Sequence, residues 1–195
     1  MKLIYRTAYM NKLASAMGTP DIKVITGIRR CGKSKLLEAF ADQIRANTPT
    51  ANIIRVNFNL LEFEPLMQYR ALHDYVEKHF VEGCNNVVII DEVQMCEGFE
   101  KAINSLHASE KYDIYITGSN AFLLSNDLST LFTGRTFEVE VFPFSLAEFA
   151  QYHEITSPDE ALTRYLREGG MPGSYLYPDE RARFVYISDV LDTLV

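Results

Sequence analysis

Residues 27–34 read Gly27-Ile28-Arg29-Arg30-Cys31-Gly32-Lys33-Ser34. This run matches the pattern G-x-x-x-x-G-K-[ST], in which glycines let the backbone approach a phosphate chain closely. The preceding β-branched segment, residues 22–26, predicts a buried strand, and residues 33–44 carry apolar side chains at helical spacing. A strand, a glycine-framed loop and a helix N-terminus direct backbone N–H groups toward phosphate. The sequence therefore predicts a phosphate-binding loop.

The chemistry of the loop assigns roles to its last residues. The Lys33 ammonium is suited to the β- and γ-phosphates of a nucleotide, and the Ser34 hydroxyl is suited to the accompanying Mg²⁺. We expect the nucleotide to contact all eight loop residues and Leu36 in the following helix.

Three loop residues are not required by the pattern. Arg29 and Arg30 are interpreted either as solvated loop residues or as a source of positive potential at the mouth of the site. Cys31 is interpreted as a small packing residue, with a redox-sensitive thiol at a helix N-terminus as the alternative.

A second signal is an acidic strand end, Val87-Val88-Ile89-Ile90-Asp91-Glu92. Four consecutive β-branched residues are typical of a strand buried on both faces of a parallel sheet. Asp91 at its tip is suited to holding Mg²⁺, and Glu92 is suited to taking the proton of an attacking water. An acidic turn without catalytic function is the alternative.

A third strand, residues 113–117, leads into Gly118-Ser119-Asn120. If this strand lies between the other two, Ser119 or Asn120 would face the γ-phosphate and sense it. Taken alone, the same residues are a good turn and helix cap.

Composition favours a globular cytoplasmic protein. Of 195 residues, 47% are hydrophobic and 23% are charged, and a net charge of −7 argues against broad nucleic-acid binding. The three cysteines form no C-x-x-C pair and the four histidines show no metal-ligand spacing, so we predict neither disulfides nor a zinc site. We find no signal peptide and no apolar run long enough to cross a membrane.

Strand and helix signals alternate through the first 144 residues and then stop. Further strands are expected at residues 51–58 and 136–141, and further helices at residues 7–17, 69–81, 99–107 and 121–132. Such alternation is typical of an α/β fold with a parallel sheet.

The last fifty residues carry only helix signals. Capping boxes begin helices at Ser145 and Ser157, the second helix ends at Gly169, and residues 179–195 form an apolar stripe. Because this stripe has no terminator, we expect that the chain is truncated within its helical segment, and packing of the stripe on a partner is the alternative.

The combined motifs resemble the AAA-type predicted ATPases of bacteria and archaea. The resemblance covers nearly the whole chain and is carried by residues 25–34, 91–94, 115–120, 134–135, 141–145 and 169–172. It implies a P-loop NTPase with a five-stranded parallel sheet in the order 5-1-4-3-2, sandwiched by helices. It also implies an AAA+ core over residues 1–144 and the start of a helical lid over residues 145–195, before a further C-terminal domain.

The resemblance implies Mg²⁺-dependent ATP hydrolysis, coupled to an oligomer or to the C-terminal domain. It also implies that Arg135 is an arginine finger for a neighbouring subunit, whereas a turn arginine paired with Glu138 or Glu140 is the alternative. A lid arginine that contacts phosphate has four candidates: Arg164, Arg167, Arg181 and Arg183. A slow ATP-gated switch and a small-molecule phosphotransferase are the competing functions, and the protein or nucleic-acid target stays open.

Overall fold

The structure is a computed structural model that describes residues 3–118, 132 and 134–192. Its centre is a five-stranded sheet in the order β2-β3-β4-β1-β5, with every pair of neighbouring strands parallel. The strands are β1 Ile22–Thr26, β2 Asn52–Asn57, β3 Asn86–Asp91, β4 Tyr112–Thr117 and β5 Thr136–Glu140. Read in reverse, this is the predicted order 5-1-4-3-2, so the α/β prediction is confirmed.

Helices cover both faces of this sheet. They are α1 Thr7–Ala16, α2 Lys33–Asn47, α3 Tyr69–Lys78 and α4 Phe99–Ala108. One apolar core joins the sheet to α3 and α4, and the other joins it to α1 and α2. All residues of β3 are buried because this strand has neighbours on both edges and helices on both faces. The helix predicted at 121–132 lies outside the described residues, apart from the buried Phe132.

The described part of the chain also contains three short 3₁₀ segments, which the apolar spacing did not predict. They are Leu61–Leu66, Val93–Met95 and Pro172–Leu176. The second follows β3 directly and turns the chain at Glu92, which matters for the site described below.

The C-terminal helical segment, residues 145–192, contains α5 Leu146–His153, α6 Pro158–Glu168 and α7 Glu180–Asp192. The predicted capping box of Ser145 and Glu148 is present in both directions, whereas Ser157 only accepts a bond from Glu160 N. No described helix is both long and apolar enough to cross a bilayer.

Aromatic rings form much of the interior of this segment. Phe149 packs against His153, Tyr165 and Tyr175 with ring centroids 4.4–5.6 Å apart. The segment joins the sheet through Phe144, whose N–H donates to Gly170 O and whose carbonyl accepts from the Tyr165 hydroxyl, both at 2.7 Å. These contacts fix the start of the segment close to the end of β5.

A buried ion pair stabilises the amino edge of the sheet. Lys23 in β1 is fully buried, and its ammonium donates to Asp113 Oδ1 at 2.6 Å and to Thr19 O at 2.7 Å. The other Asp113 oxygen accepts from Gly18 N and from the Tyr115 hydroxyl. The network therefore satisfies a charge that would otherwise be expensive to bury.

We expect Asp113→Ala to lower the free energy of unfolding by about 3–5 kcal/mol, because the variant leaves the Lys23 ammonium buried without its counter-ion. Urea denaturation measures this change. Asp42→Ala is the matched control, since it breaks an exposed pair with Arg45 and should cost less than about 1 kcal/mol. Equal losses in the two variants would show that the buried pair has no special importance.

Candidate functional site

Three strands end at the carboxyl edge of the sheet beside residues of the candidate site. The phosphate-binding loop follows β1, Asp91 ends β3, and Thr117 ends β4, which lies between them. The strand registers align these positions, because Ile25 pairs with Thr117 and Ile90 pairs with Ile116. The crevice beyond the carboxyl ends of parallel strands is where open α/β sheets bind ligands.

Gly27 joins β1 to the loop and has no room for a side chain. A Cβ atom on this residue would lie 2.2 Å from Val141 O, and its φ of +138° also favours glycine. Val141 N donates to Thr26 O at 2.9 Å, so the chain beyond β5 continues alongside the start of the loop. The first glycine of the pattern is thus required by close backbone packing.

The remaining loop residues form a turn that leads into α2. Gly32 has a φ of +104° and precedes the first helical residue, Lys33. The buried Lys33 ammonium donates to Gly27 O at 2.9 Å and to Ile28 O at 3.1 Å, so it lies across the loop that it is predicted to serve. Ser34 is exposed in the first turn of α2.

The surroundings differ among the three loop residues Arg29, Arg30 and Cys31. Arg29 and Arg30 are exposed, and the Arg30 guanidinium lies 4.9 Å from the centre of the Tyr186 ring in α7. Burial raises the pKa of the Cys31 thiol despite the nearby charges of Lys33 and Arg6. A buried thiol with a raised pKa favours the packing interpretation of Cys31, because the thiolate is the reactive form.

One threonine hydroxyl connects the two acidic residues. The buried Thr117 hydroxyl donates to Asp91 Oδ1 and accepts from Glu92 N at 3.0 Å. Glu92 has a left-handed backbone (φ +57°, ψ +51°), and Gln94 Nε2 donates to Glu92 Oε2 at 2.6 Å. Both carboxylates are therefore held in defined positions beside the loop.

The sequence predictions missed Thr117 and Gln94 and named Ser119 and Asn120 instead. Ser119 and Asn120 lie outside the described residues, so their sensing role stays a prediction. The sequence analysis treats Thr117 only as the last residue of a strand. Its role follows from the strand order, because the order 5-1-4-3-2 makes this strand the neighbour of the acidic strand and puts the Thr117 hydroxyl near Asp91.

Arg135 lies at the amino edge of the sheet, whereas the phosphate-binding loop lies at the carboxyl edge. It is exposed and precedes β5, with its carbonyl accepting from Ile22 N at 2.9 Å. At roughly 3.3 Å per strand residue, the length of β5 places it more than ~15 Å from the loop. Its guanidinium therefore cannot serve the loop of its own chain. A cleft of about 850 Å³, lined in part by Arg135 and His107, lies at this amino edge, away from the predicted chemistry.

Three of the four candidate lid arginines pair with Glu168 within the C-terminal helical segment, although Arg167 approaches Glu168 Oε1 only to 3.6 Å. Arg164 Nε donates to Glu168 Oε1 at 2.9 Å and Arg183 Nη1 donates to Glu168 Oε2 at 2.7 Å. Burial opposes the charge of Glu168, but these arginines outweigh it and lower the pKa of the carboxyl. Arg167 and Arg181 are exposed.

Residues 19–150 match the family described as AAA domain. The chain belongs to this family. It is also 33% identical over 99% of its length to an uncharacterized protein of Haemophilus influenzae. The chain spans about half the length of that relative.

Solved structures agree with this assignment at the level of the fold. The Walker-type ATPase of Pyrococcus abyssi is 19% identical, with a TM-score of 0.56 over 97% of this chain and 73% of the other. DnaA from Aquifex aeolicus bound to AMPPCP is 17% identical to this chain. Its TM-score is 0.54, and the match covers 95% of this chain and 60% of the DnaA chain.

We expect Thr117→Val to lower the free energy of unfolding by about 1–3 kcal/mol, because it leaves buried Asp91 and the Glu92 N–H without their shared partner. Urea denaturation tests this. Thr117→Ser keeps the hydroxyl and should lose clearly less. If the valine variant is as stable as the wild type, the hydroxyl bridge does not hold these residues.

Proposed function

We propose that this AAA domain binds ATP with Mg²⁺ and hydrolyses it. The observation that supports the proposal is the meeting of the phosphate-binding loop with Asp91, Glu92 and Thr117 at one edge of the sheet. Membership of the AAA family and the fold shared with a Walker-type ATPase and with AMPPCP-bound DnaA support nucleotide binding.

Each residue has a distinct role in the proposed reaction. Lys33 moves its ammonium from the loop carbonyls to the phosphates, and the backbone N–H groups of residues 27–34 surround them. Asp91 and Ser34 provide oxygen donors of the kind that Mg²⁺ prefers, and the bound ion would neutralise phosphate charge. Glu92 accepts the proton of the attacking water. Ser119 and Asn120 remain the proposed phosphate sensors.

We propose that the nucleobase lies beside the start of α2. A narrow cleft of about 20 Å³ lies there between residues 3–6, α2 and the C-terminal helical segment, with Leu36 among its lining residues. The cleft must widen to admit a base, because this volume holds about one water molecule. The other lining residues are Leu3, Ile4, Arg6, Gly32, Lys35, Phe144 and Pro172. This position is consistent with residues 145–192 acting as the start of a lid over the nucleotide, a division that we also propose.

A slow ATP-gated switch is the second candidate. The observation that favours it is the 2.6 Å hydrogen bond from Gln94 to Glu92, which engages one oxygen of the proposed base. This bond occupies an acceptor site on the carboxylate that is then not available to the attacking water until the bond is released. The two candidates differ in turnover and in whether Arg135 of a second copy completes the site.

Lys33→Ala should weaken binding of Mg²⁺-ATP by about tenfold to a hundredfold, because it removes a charged hydrogen-bond donor from the phosphates. Calorimetric titration measures this affinity.

Glu92→Gln should bind ATP like the wild type but turn over at least about a hundredfold more slowly, because it removes the base. Steady-state phosphate release measures this turnover.

Lys78→Ala and Glu97→Gln are the matched controls, because both residues are exposed and neither belongs to the proposed site. Unchanged ATP affinity in Lys33→Ala would refute the binding site. Normal turnover in Glu92→Gln would remove Glu92 from the mechanism.

An oligomeric ATPase requires Arg135 to act on a neighbouring copy. In that case specific activity should rise with protein concentration and fall by about a thousandfold in Arg135→Ala, which is the scale of an arginine finger. Arg45→Ala, at the exposed end of α2, should leave activity unchanged. Slow turnover that depends on neither concentration nor Arg135 would instead support the self-contained switch.

A further inference from the structure

Arg6 is a buried cation at the junction of three chain segments. It precedes α1 and is only 4% exposed. Its Nε and Nη2 atoms donate to the two carboxylate oxygens of Glu148 at 2.8 and 3.0 Å. Tyr9 and Phe144 cover the guanidinium, with ring centres 4.4 and 5.2 Å from its central carbon.

The same guanidinium also contacts the phosphate-binding loop. Its Nη1 donates to Cys31 O at 3.3 Å, immediately before Gly32 and Lys33. Its Nη2 donates to Phe142 O at 2.9 Å, in the connection between β5 and α5. Arg6 therefore bonds directly to the loop, to the connection that follows the sheet, and to the first helix of the C-terminal helical segment.

Glu148 is well placed to transmit a displacement of Arg6. It is the third residue of the α5 capping box, where its side chain also accepts from Ser145 N at 2.9 Å. Burial opposes its charge, but hydrogen bonds from Arg6 and Ser145 outweigh this and lower the pKa of the carboxyl. A movement of the guanidinium therefore acts on the N-terminal turn of α5, because Glu148 belongs to that turn and is bonded to its N-cap residue, Ser145.

The loop contains groups that must rearrange around a phosphate. Lys33 Nζ is bonded to loop carbonyls, and Cys31 N donates to Ile28 O at 3.3 Å. In a loop that wraps phosphate, ammonium and backbone N–H groups turn toward the oxygens. The carbonyl that Arg6 contacts, Cys31 O, shares its planar peptide unit with the Gly32 N–H. A turn of the Gly32 N–H toward phosphate would therefore also move this carbonyl.

We infer that Arg6 is a positioning residue that couples occupancy of the phosphate-binding loop to the position and stability of α5. The inference rests on the proposed binding of ATP, but it does not require hydrolysis. The planar guanidinium is essential to it, because a lysine keeps the charge yet cannot bond two carboxylate oxygens and the loop carbonyl in one plane.

The test uses the full chain and measures amide hydrogen exchange in residues 146–153, with and without Mg²⁺-AMPPCP. In the wild type we expect the nucleotide to slow exchange in α5 by about tenfold or more, as local opening becomes less favourable. In Arg6→Lys we expect measurable AMPPCP binding but a change in α5 of less than about twofold. Glu148→Gln provides a second variant that keeps the capping geometry and should lose the response in the same way.

Asp113→Ala is the control for a general loss of stability. It breaks another buried ion pair, with Lys23, at the amino edge of the sheet, away from the phosphate-binding loop. This control should keep the nucleotide-dependent protection of α5 even if its melting temperature falls as far as that of Arg6→Lys.

The possible outcomes separate this inference from the proposed function. Full protection of α5 in both Arg6→Lys and Glu148→Gln, or equal loss of protection in Asp113→Ala, would show that Arg6 has only a structural role. Binding of AMPPCP by the wild type without any response in α5 would overturn the coupling and leave the proposed function intact. If the wild type bound no AMPPCP, both proposals would fail.

Discussion

The close approach of Gly27 to Val141 is the constraint on which the phosphate-binding loop depends. With a prospective Cβ only 2.2 Å from Val141 O, the loop must leave β1 against the backbone that continues β5. This contact also places the Phe142 carbonyl within reach of Arg6, and Arg6 within reach of the Cys31 carbonyl. The absence of one side chain thus allows the loop, the end of the sheet and the start of the C-terminal helical segment to meet.

The two edges of the sheet use buried polar groups differently. At the amino edge, the Lys23 ammonium and the Asp113 carboxylate neutralise each other, and both Asp113 oxygens have donors. At the carboxyl edge, Asp91 is bonded to the Thr117 hydroxyl and precedes a left-handed turn, and it forms no ion pair among the described residues. A buried carboxylate bonded to a neutral group keeps more of its attraction for an external cation than one that is already paired with an ammonium. The ion pair that stabilises the fold and the carboxylate proposed to hold Mg²⁺ therefore lie at opposite edges of the sheet.

Much of this arrangement was predictable because it depends on local signals. The β-branched run ending at Asp91 predicted a fully buried central strand, and the spacing of Ser145 and Glu148 predicted the capping box that begins α5. Local signals also indicated both glycines of the loop. The strand order was implied by the family resemblance and is confirmed by the pairings.

The missed contacts join residues that are distant along the chain. Thr117 and Asp91 are 26 residues apart, and Arg6 and Glu148 are 142 residues apart. Neither pair has a periodicity or a spacing that could reveal it, since each depends on which strands and helices become neighbours. The contacts of Arg6 with carbonyl groups are still harder to predict, because any residue can supply a carbonyl.

The backbone at Glu92 shows how a distant contact changes the chemistry of a local motif. In a continued strand, Asp91 and Glu92 would point to opposite faces of the sheet, because strand side chains alternate. The left-handed turn at Glu92 ends that alternation, and such a conformation costs a non-glycine residue about 1 kcal/mol or more. Thr117 offsets this cost by accepting the Glu92 N–H while it donates to Asp91. In the proposed site, the two adjacent acids would therefore depend on a threonine from the neighbouring strand, which holds the turn between them.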